Sequence, residues 1–266
     1  MTTTIALAGK GGTGKTTVAA MVIRHLLDEK LGSILAIDAD PSSNLNFVLG
    51  MPLEETIGAI REDMLDQIQS GVTGGLAGSL PGGIAKQDYL DYQIRMALVE
   101  GNNIDLIAMG RPEGPGCYCA ANAMMRNIMD RIGGQYDYVV VDNEAGLEHL
   151  SRRTTRDVDI LLIVTDPTQR GVIGAQRVAQ LADELDIKIE RRYLIVNRLP
   201  GGQMPPALQK AVDEMTDGQV TFLGVVPYDP QMAEFEFAGR PLVQLEADAS
   251  VYQTVKAMIR RVLAEQ

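Results

Sequence analysis

The stretch GKGGTGKTT, residues 9–17, restricts the possible folds more than any other part of this chain. It fits G-x-x-x-x-G-K-[ST] and stands between a short apolar run, residues 4–8, and a helical pattern over residues 16–30. Gly9, Gly11, Gly12 and Gly14, with Thr13 among them, let successive backbone N–H groups turn toward one centre. The helix that follows adds its positive end. Such a cradle holds phosphate. Lys15 would reach the β- and γ-phosphates of a nucleoside triphosphate, and the Thr16 hydroxyl would ligate Mg2+, with Thr17 beside it in the nucleotide-contacting set.

Short β-rich runs alternate with longer amphipathic ones along nearly the whole chain. Strands are expected at residues 4–8, 33–37, 104–109, 138–142, 160–165, 193–197 and 221–226. Runs such as YVVVD and ILLIVTD are continuously apolar, as in parallel strands covered on both faces. Helices are expected at residues 16–30, 53–70, 87–100, 120–132, 173–185 and 206–215. The alternation predicts right-handed βαβ units and one α/β domain over residues 1–266, a doubly wound, mostly parallel sheet with helices on both faces. The glycine-rich piece GVTGGLAGSLPGG, residues 71–83, reads as an insertion between helices.

Composition excludes several classes of function. A chain that is 45% hydrophobic and 22% charged can bury a real core. Its net charge of −11 argues against a non-specific nucleic-acid binder. No apolar run is long enough to span a bilayer, and MTTTIALAGK lacks the basic start of a signal peptide, so a cytoplasmic location is expected. The last stretch, VYQTVKAMIRRVLAEQ, is an amphipathic helix expected to pack on the sheet rather than on a membrane.

The chain has two cysteines, Cys117 and Cys119, between a Gly/Pro-rich run and a helical segment that Cys119 is expected to open. In a reducing compartment, such a pair points to metal binding or redox chemistry rather than a structural disulfide. Two thiolates do not close a tetrahedral site. A symmetric dimer would, by bringing both cysteines of each subunit to the two-fold axis. The bland alternative is two small buried residues packed on the sheet. Met109, Met124, Met125 and Met129 cluster nearby and read as adaptable packing; His149 reads as structural.

Lys10, ahead of the usual loop lysine, resembles the deviant phosphate loop of the MinD, ParA and nitrogenase-iron-protein group of dimeric ATPases. That resemblance implies that Lys10 reaches the nucleotide bound by a partner subunit. DADPSSN resembles the group's first switch, which implies that Asp40 orients or deprotonates the attacking water and Asp38 helps to order Mg2+. YDYVVVDNEAG ends in a Walker B aspartate and a D-x-x-x-G switch. Asp142 would bind Mg2+ through water, and the Gly146 N–H could approach the γ-phosphate. By the same resemblance, Asn197 reads adenine, with Arg198 beside it, and backbone groups near Pro227 wrap the base.

The deviant loop, C-x-C after GRPEGPG, and DNEAGLEHLSRRT together are similar to the CooC/AcsF-type nickel-insertion ATPases. This resemblance implies an ATP-dependent metallochaperone, active as a homodimer with ATP/ADP and Mg2+. It would carry Ni2+ or Zn2+ on Cys117 and Cys119 for carbon monoxide dehydrogenase or acetyl-CoA synthase, without nucleic acid or membrane partners. Two alternatives stay open at this stage. One is a MinD/ParA-type positioning ATPase, with incidental thiols. The other is a reductase-like electron carrier, although the iron protein's cysteines are far apart in sequence.

Overall fold

The computed structural model describes residues 2–60, 62, 92, 94–111, 117–144, 158–184, 188–216 and 218–265, with the backbone alone for 117–122. Eight strands form one sheet: β1 (Thr3–Ala8), β2 (Ile34–Ala39), β3 (Leu98–Glu100), β4 (Ile104–Ala108), β5 (Tyr138–Asn143), β6 (Val158–Thr165), β7 (Ile189–Leu199) and β8 (Val220–Pro227). Their spatial order is β3-β4-β2-β5-β1-β6-β7-β8, and every neighbouring pair is parallel except β3 with β4. β1 lies centrally, so its carboxyl end and the loop that follows sit between β5 and β6. This is where open parallel sheets bind ligands.

Pleating sorts the apolar strand residues into two cores. Ile5, Leu7, Ala36, Val140, Leu162 and Ile195 pack under α1 (Lys15–Asp28), α2 (Leu45–Leu49), α6 (Pro230–Phe237) and α7 (Ser250–Ala264). Ala6, Ile37, Val141, Ile163 and Val196 pack under α3 (Cys117–Ile132), α4 (Gln169–Glu184) and α5 (Pro206–Met215). Both faces are covered, which explains the continuous apolar runs. Each fully buried Ile, Leu or Val contributes about 1.5–3 kcal/mol relative to exposure.

At its far end α1 is clamped by α7. Lys256 and Arg260 each approach the Glu29 carboxylate at 2.7 Å. The Tyr252 hydroxyl donates to Asp28, while Arg24 stacks over the Tyr252 ring.

Four expectations change. The helix expected over 87–100 ends early: residues 94–97 are helical, but Leu98–Glu100 turn back as β3, antiparallel to β4 across a turn in which Asn103 takes φ 60°. The pattern VEGNNID is a hairpin signal, and Asn tolerates that conformation. α2 and α6 were not expected; both are short, and α6 is started by Pro230 and by the Asp229 side chain accepting from the Gln231 N–H. α3 begins at Cys117 rather than after Cys119, directly behind the Pro115–Gly116 break. α4 begins at Gln169, earlier than expected, because the Thr168 hydroxyl accepts from the Gly171 N–H at its first turn. Residues 57–60 of the helix expected over 53–70 are helical; most of the remainder, the 71–83 piece and His149 lie outside the described residues.

Candidate nucleotide site

Residues 9–14 fold over the carboxyl end of β1, and three glycines make this geometry available. Gly9, Gly12 and Gly14 have φ of 149°, 82° and 87°, where side chains are strained. At Gly9 a Cβ would also run into the Val164 carbonyl, and at Gly14 into the Asn197 amide. Around Gly11 and Gly12, by contrast, a Cβ would meet nothing within 4 Å. The loop is therefore packed hard from below and open above.

Its internal bonds hold that shape. The Thr13 hydroxyl donates to the Lys10 carbonyl at 2.9 Å, and the Lys15 ammonium to the same oxygen at 3.3 Å. Two residues of β7 brace it from the side. The Asn197 Nδ2 donates to the Thr13 carbonyl at 2.8 Å, and the Arg198 guanidinium to the Gly12 carbonyl at 3.2 Å. Asn197 Oδ1 accepts the Arg198 N–H at 2.9 Å, and Arg198 itself sits at φ 58°. A residue read from sequence as a base reader thus has a bracing contact on the phosphate loop as well.

Two carboxylates stand beside the cradle because register places them there. Asp38 and Asp142 are partners on β2 and β5, both pointing to the α1 side. Asp38 is fully buried; its oxygens accept the Asp40 N–H at 3.1 Å and the Leu45 N–H at 2.8 Å. Burial pushes its pKa from 3.8 up to about 7, and the Asp142 charge adds to the rise while the two N–H groups oppose it. Burial likewise raises Asp142 to about 6, against a hydrogen bond from Thr16 and the charge of Lys15. Burial also lowers the Lys15 pKa, and Asp142, Asp40 and Glu144 counter it. Asp142 Oδ1 is buried without a hydrogen-bond partner. An orphaned carboxylate oxygen beside a threonine hydroxyl fits a hard, oxygen-seeking cation such as Mg2+.

Above the loop opens a cleft of about 660 Å3, bounded by Gly11, Lys15, Thr16, Asp40, Arg198 and Glu236. A smaller cavity of about 230 Å3 adjoins it, lined by Thr17, Asn197, Pro227, Tyr228 and Met232. Thr17, Arg198 and Glu236 border both, so one elongated ligand can occupy the two together. Glu236, Arg240 and Phe47 escaped the sequence reading; they come from short helices and a loop that carry no motif.

Lys10 goes elsewhere. It is exposed and lies over Gly174 of α4, where a Cβ would approach it to 3.5 Å, and it lines a separate groove of about 530 Å3 with Arg170, Ile173 and Arg177. The structure brings together Gly9, Gly11, Gly12, Thr13, Gly14, Lys15, Thr16, Thr17, Asp38, Asp40, Asp142, Asn197, Arg198 and Pro227 in and around the cleft. Gly146 lies outside the described residues, as do the side chains of Cys117 and Cys119. Among the described residues no three His, Cys, Asp or Glu side chains gather as a metal site, and no helix is long and apolar enough to cross a membrane.

Residues 4–242 match the CobQ/CobB/MinD/ParA nucleotide binding domain, and the chain belongs to that family. It is 39% identical over 260 residues to an uncharacterised ATP-binding protein of Methanocaldococcus jannaschii, covering 97% of this chain and 98% of that one. It is 32% identical over 238 residues to the carbon monoxide dehydrogenase accessory protein CooC of Rhodospirillum rubrum, covering 88% and 87%. Among solved structures, the septum site-determining protein MinD of Pyrococcus horikoshii, complexed with Mg-ADP, superimposes with a TM-score of 0.65 at 24% identity, over 99% of this chain and 98% of that one. The last likeness establishes the shared fold.

Proposed function

We propose that this chain is an ATP-hydrolysing metallochaperone that dimerises around Cys117 and Cys119 and drives nickel insertion into an iron–sulfur client, carbon monoxide dehydrogenase or acetyl-CoA synthase. One observation carries the reading. The segment that leads from β4 to Cys117 leaves the sheet bonded to the end of β2 and to the turn after it, on the nucleotide side. The Met109 N–H donates to the Asp38 carbonyl at 2.8 Å, and the Gly110 N–H to the Ser43 hydroxyl at 3.1 Å. The end of β2 that borders the cleft is thus joined to the chain entering the cysteine-bearing helix. The similarity to CooC supports the same reading.

In this mechanism the loop amides and Lys15 would hold the β- and γ-phosphates, and Thr16, Asp142 and Asp38 would hold Mg2+, directly or through water. When bound, the ion neutralises phosphate charge. Asp40, at the rim of the cleft, orients the attacking water and takes its proton. Gly146 offers its N–H to the γ-phosphate. Arg198 and Pro227 line the cavity that would take the base, and Asn197 would read the base while bracing the phosphate loop. Lys10, turned out of its own cleft, serves the nucleotide of the partner copy.

Two thiolates do not complete a tetrahedral site, so one chain does not close it, and four thiolates from two chains would. Nickel is cargo here, and Zn2+ fits the same ligands.

The deciding measurement is metal content and dimer fraction for wild type, Cys117→Ser and Cys119→Ser, with ADP, ATP and no nucleotide. About one metal per dimer, lost in both variants, is expected. Full stoichiometry in either variant overturns the shared site. Hydrolysis stimulated by DNA or lipid, with no metal bound, would instead favour a positioning ATPase. Mixed dimers of Lys10→Ala with Lys15→Ala subunits test the lysine across the interface; purely cis behaviour rules it out.

A further inference from the structure

The turn that follows β2 is built by side chains reaching back onto its own backbone. Asp38 spans it with both oxygens, on Asp40 and Leu45, and Asp40 Oδ1 accepts the Ser42 N–H at 2.8 Å. The Ser43 N–H closes onto the Asp40 carbonyl at 3.0 Å. These bonds force Ser43 to φ 45°, a left-handed conformation uncommon for a residue with a Cβ. Strain of this kind persists only where the surroundings over-determine it, and it gathers at switch regions.

The strained residue makes one outward contact. Its side chain is buried, and its hydroxyl oxygen accepts the Gly110 N–H at 3.1 Å. Gly110 is itself constrained, at φ 66°, where a Cβ would collide with Thr56. Its neighbour Met109 is held by strand-type bonds, donating to Asp38 and accepting the Gly58 N–H at 2.8 Å. Of the contacts fixing this segment, the Ser43 bond is the one made by the turn that lines the cleft through Asp40 and Ser42.

We propose that Ser43 is a positioning residue: its hydroxyl transmits the state of the nucleotide cleft to the segment that enters α3. When a phosphate-bound cation draws Asp38 and Asp40, the carboxylates exchange turn N–H groups for new partners. The turn relaxes, and Ser43 carries Gly110 with it. The two arrangements are discrete because the φ of Ser43 and that of Gly110 each occupy separate wells. This inference rests on nucleotide binding in the cleft, and it is independent of any metal at the cysteines.

The test is hydrogen–deuterium exchange of the full chain without nucleotide, with MgADP, and with Mg2+ and a non-hydrolysable ATP analogue. Wild type is expected to change exchange both in the phosphate loop with α1 and in the first turns of α3. Ser43→Gly suits the backbone conformation and removes the hydroxyl; Ser43→Ala removes the hydroxyl alone. Both are expected to keep the response of the phosphate loop and lose that of α3. Ser43→Thr, less stable at positive φ but with a hydroxyl, is expected to regain it. A merely structural role would track stability, with Gly best and Thr worst. An α3 response that survives in Ser43→Gly, or stays lost in Ser43→Thr, overturns the proposal. So does a wild type whose phosphate loop responds while α3 does not. A wild type in which neither region responds contradicts nucleotide binding itself.

Discussion

The two faces of the sheet differ at its carboxyl edge. On the α1 face, polar side chains mostly find partners within the chain: Asp38 takes two backbone N–H groups, Asn197 makes two bonds, and Arg198 holds a loop carbonyl, while Asp142 Oδ1 stays open beside the phosphate loop. The α3 and α4 face carries open groups of its own. Asn143, next to Asp142 but on the opposite side of the pleat, donates to the Leu7 carbonyl and leaves its buried Oδ1 without a partner. Lys10, Arg170 and Arg177 line one groove with no ion pair among the described residues, in a chain of net charge −11. The first face collects the groups that could hold a phosphate and its cation. The second presents a cationic groove, with Lys10, Arg170 and Arg177 along it.

The sharpest way to break this contrast is Lys15→Ala. It is expected to reduce ATP hydrolysis by about a hundredfold or more, equivalent to roughly 3 kcal/mol of lost electrostatic stabilisation, with the fold intact by circular dichroism. Phosphate release within twofold of wild type would show that the α1 face is not the catalytic one.

Next comes pH. Asp38 and Asp142 have folded pKa values of about 7 and about 6, above the ordinary 3.8. An acid raised by folding stabilises the protein most below its unfolded pKa, and that contribution is lost as pH rises through the folded pKa. Denaturant midpoints of the nucleotide-free protein are therefore expected to fall as pH rises from about 4 to 7. If Asp38 and Asp142 hold Mg2+ as carboxylates, MgADP binding should release protons near pH 6. Calorimetry in buffers of different ionisation enthalpy would read that release, and proton uptake would contradict it.

Asn197→Ala ranks third. It leaves the Thr13 carbonyl unpaired and is expected to cost about 1–2 kcal/mol of stability while weakening MgADP. If base preference changed but inorganic triphosphate bound as before, the bracing contact would be of no consequence. The smallest effect belongs to the other face. Ile173, 47% exposed, should tolerate Ala within about 0.5 kcal/mol, as surface positions do.

Much of this was legible in the sequence. The phosphate loop carries its own geometry in its glycines, and the central strands declare themselves through runs such as YVVVD. The carboxylates Asp38 and Asp142 could be placed at strand ends, but their pairing across β2 and β5 is a matter of register, which no local pattern encodes. Leu98–Glu100 were missed because a three-residue edge strand borrows its stability from β4. The contacts of Asn197 on Thr13 and of Ser43 on Gly110 join residues separated by 184 and 67 positions, and only the folded chain brings them together.

The clamp between α1 and α7 has a consequence for synthesis. The phosphate loop is made before most of the elements that hold it: β1 pairs with β5 and β6, and the loop's brace arrives with Asn197. The helix carrying Lys15 and Thr16 is fastened at its other end by Lys256 and Arg260. A growing chain therefore exposes the glycine loop long before it can hold a nucleotide, and must wait for distant partners that close slowly. Nucleotide capture becomes a sign that translation has passed α7, and nucleotide then favours the folded domain over intermediates that lack these partners.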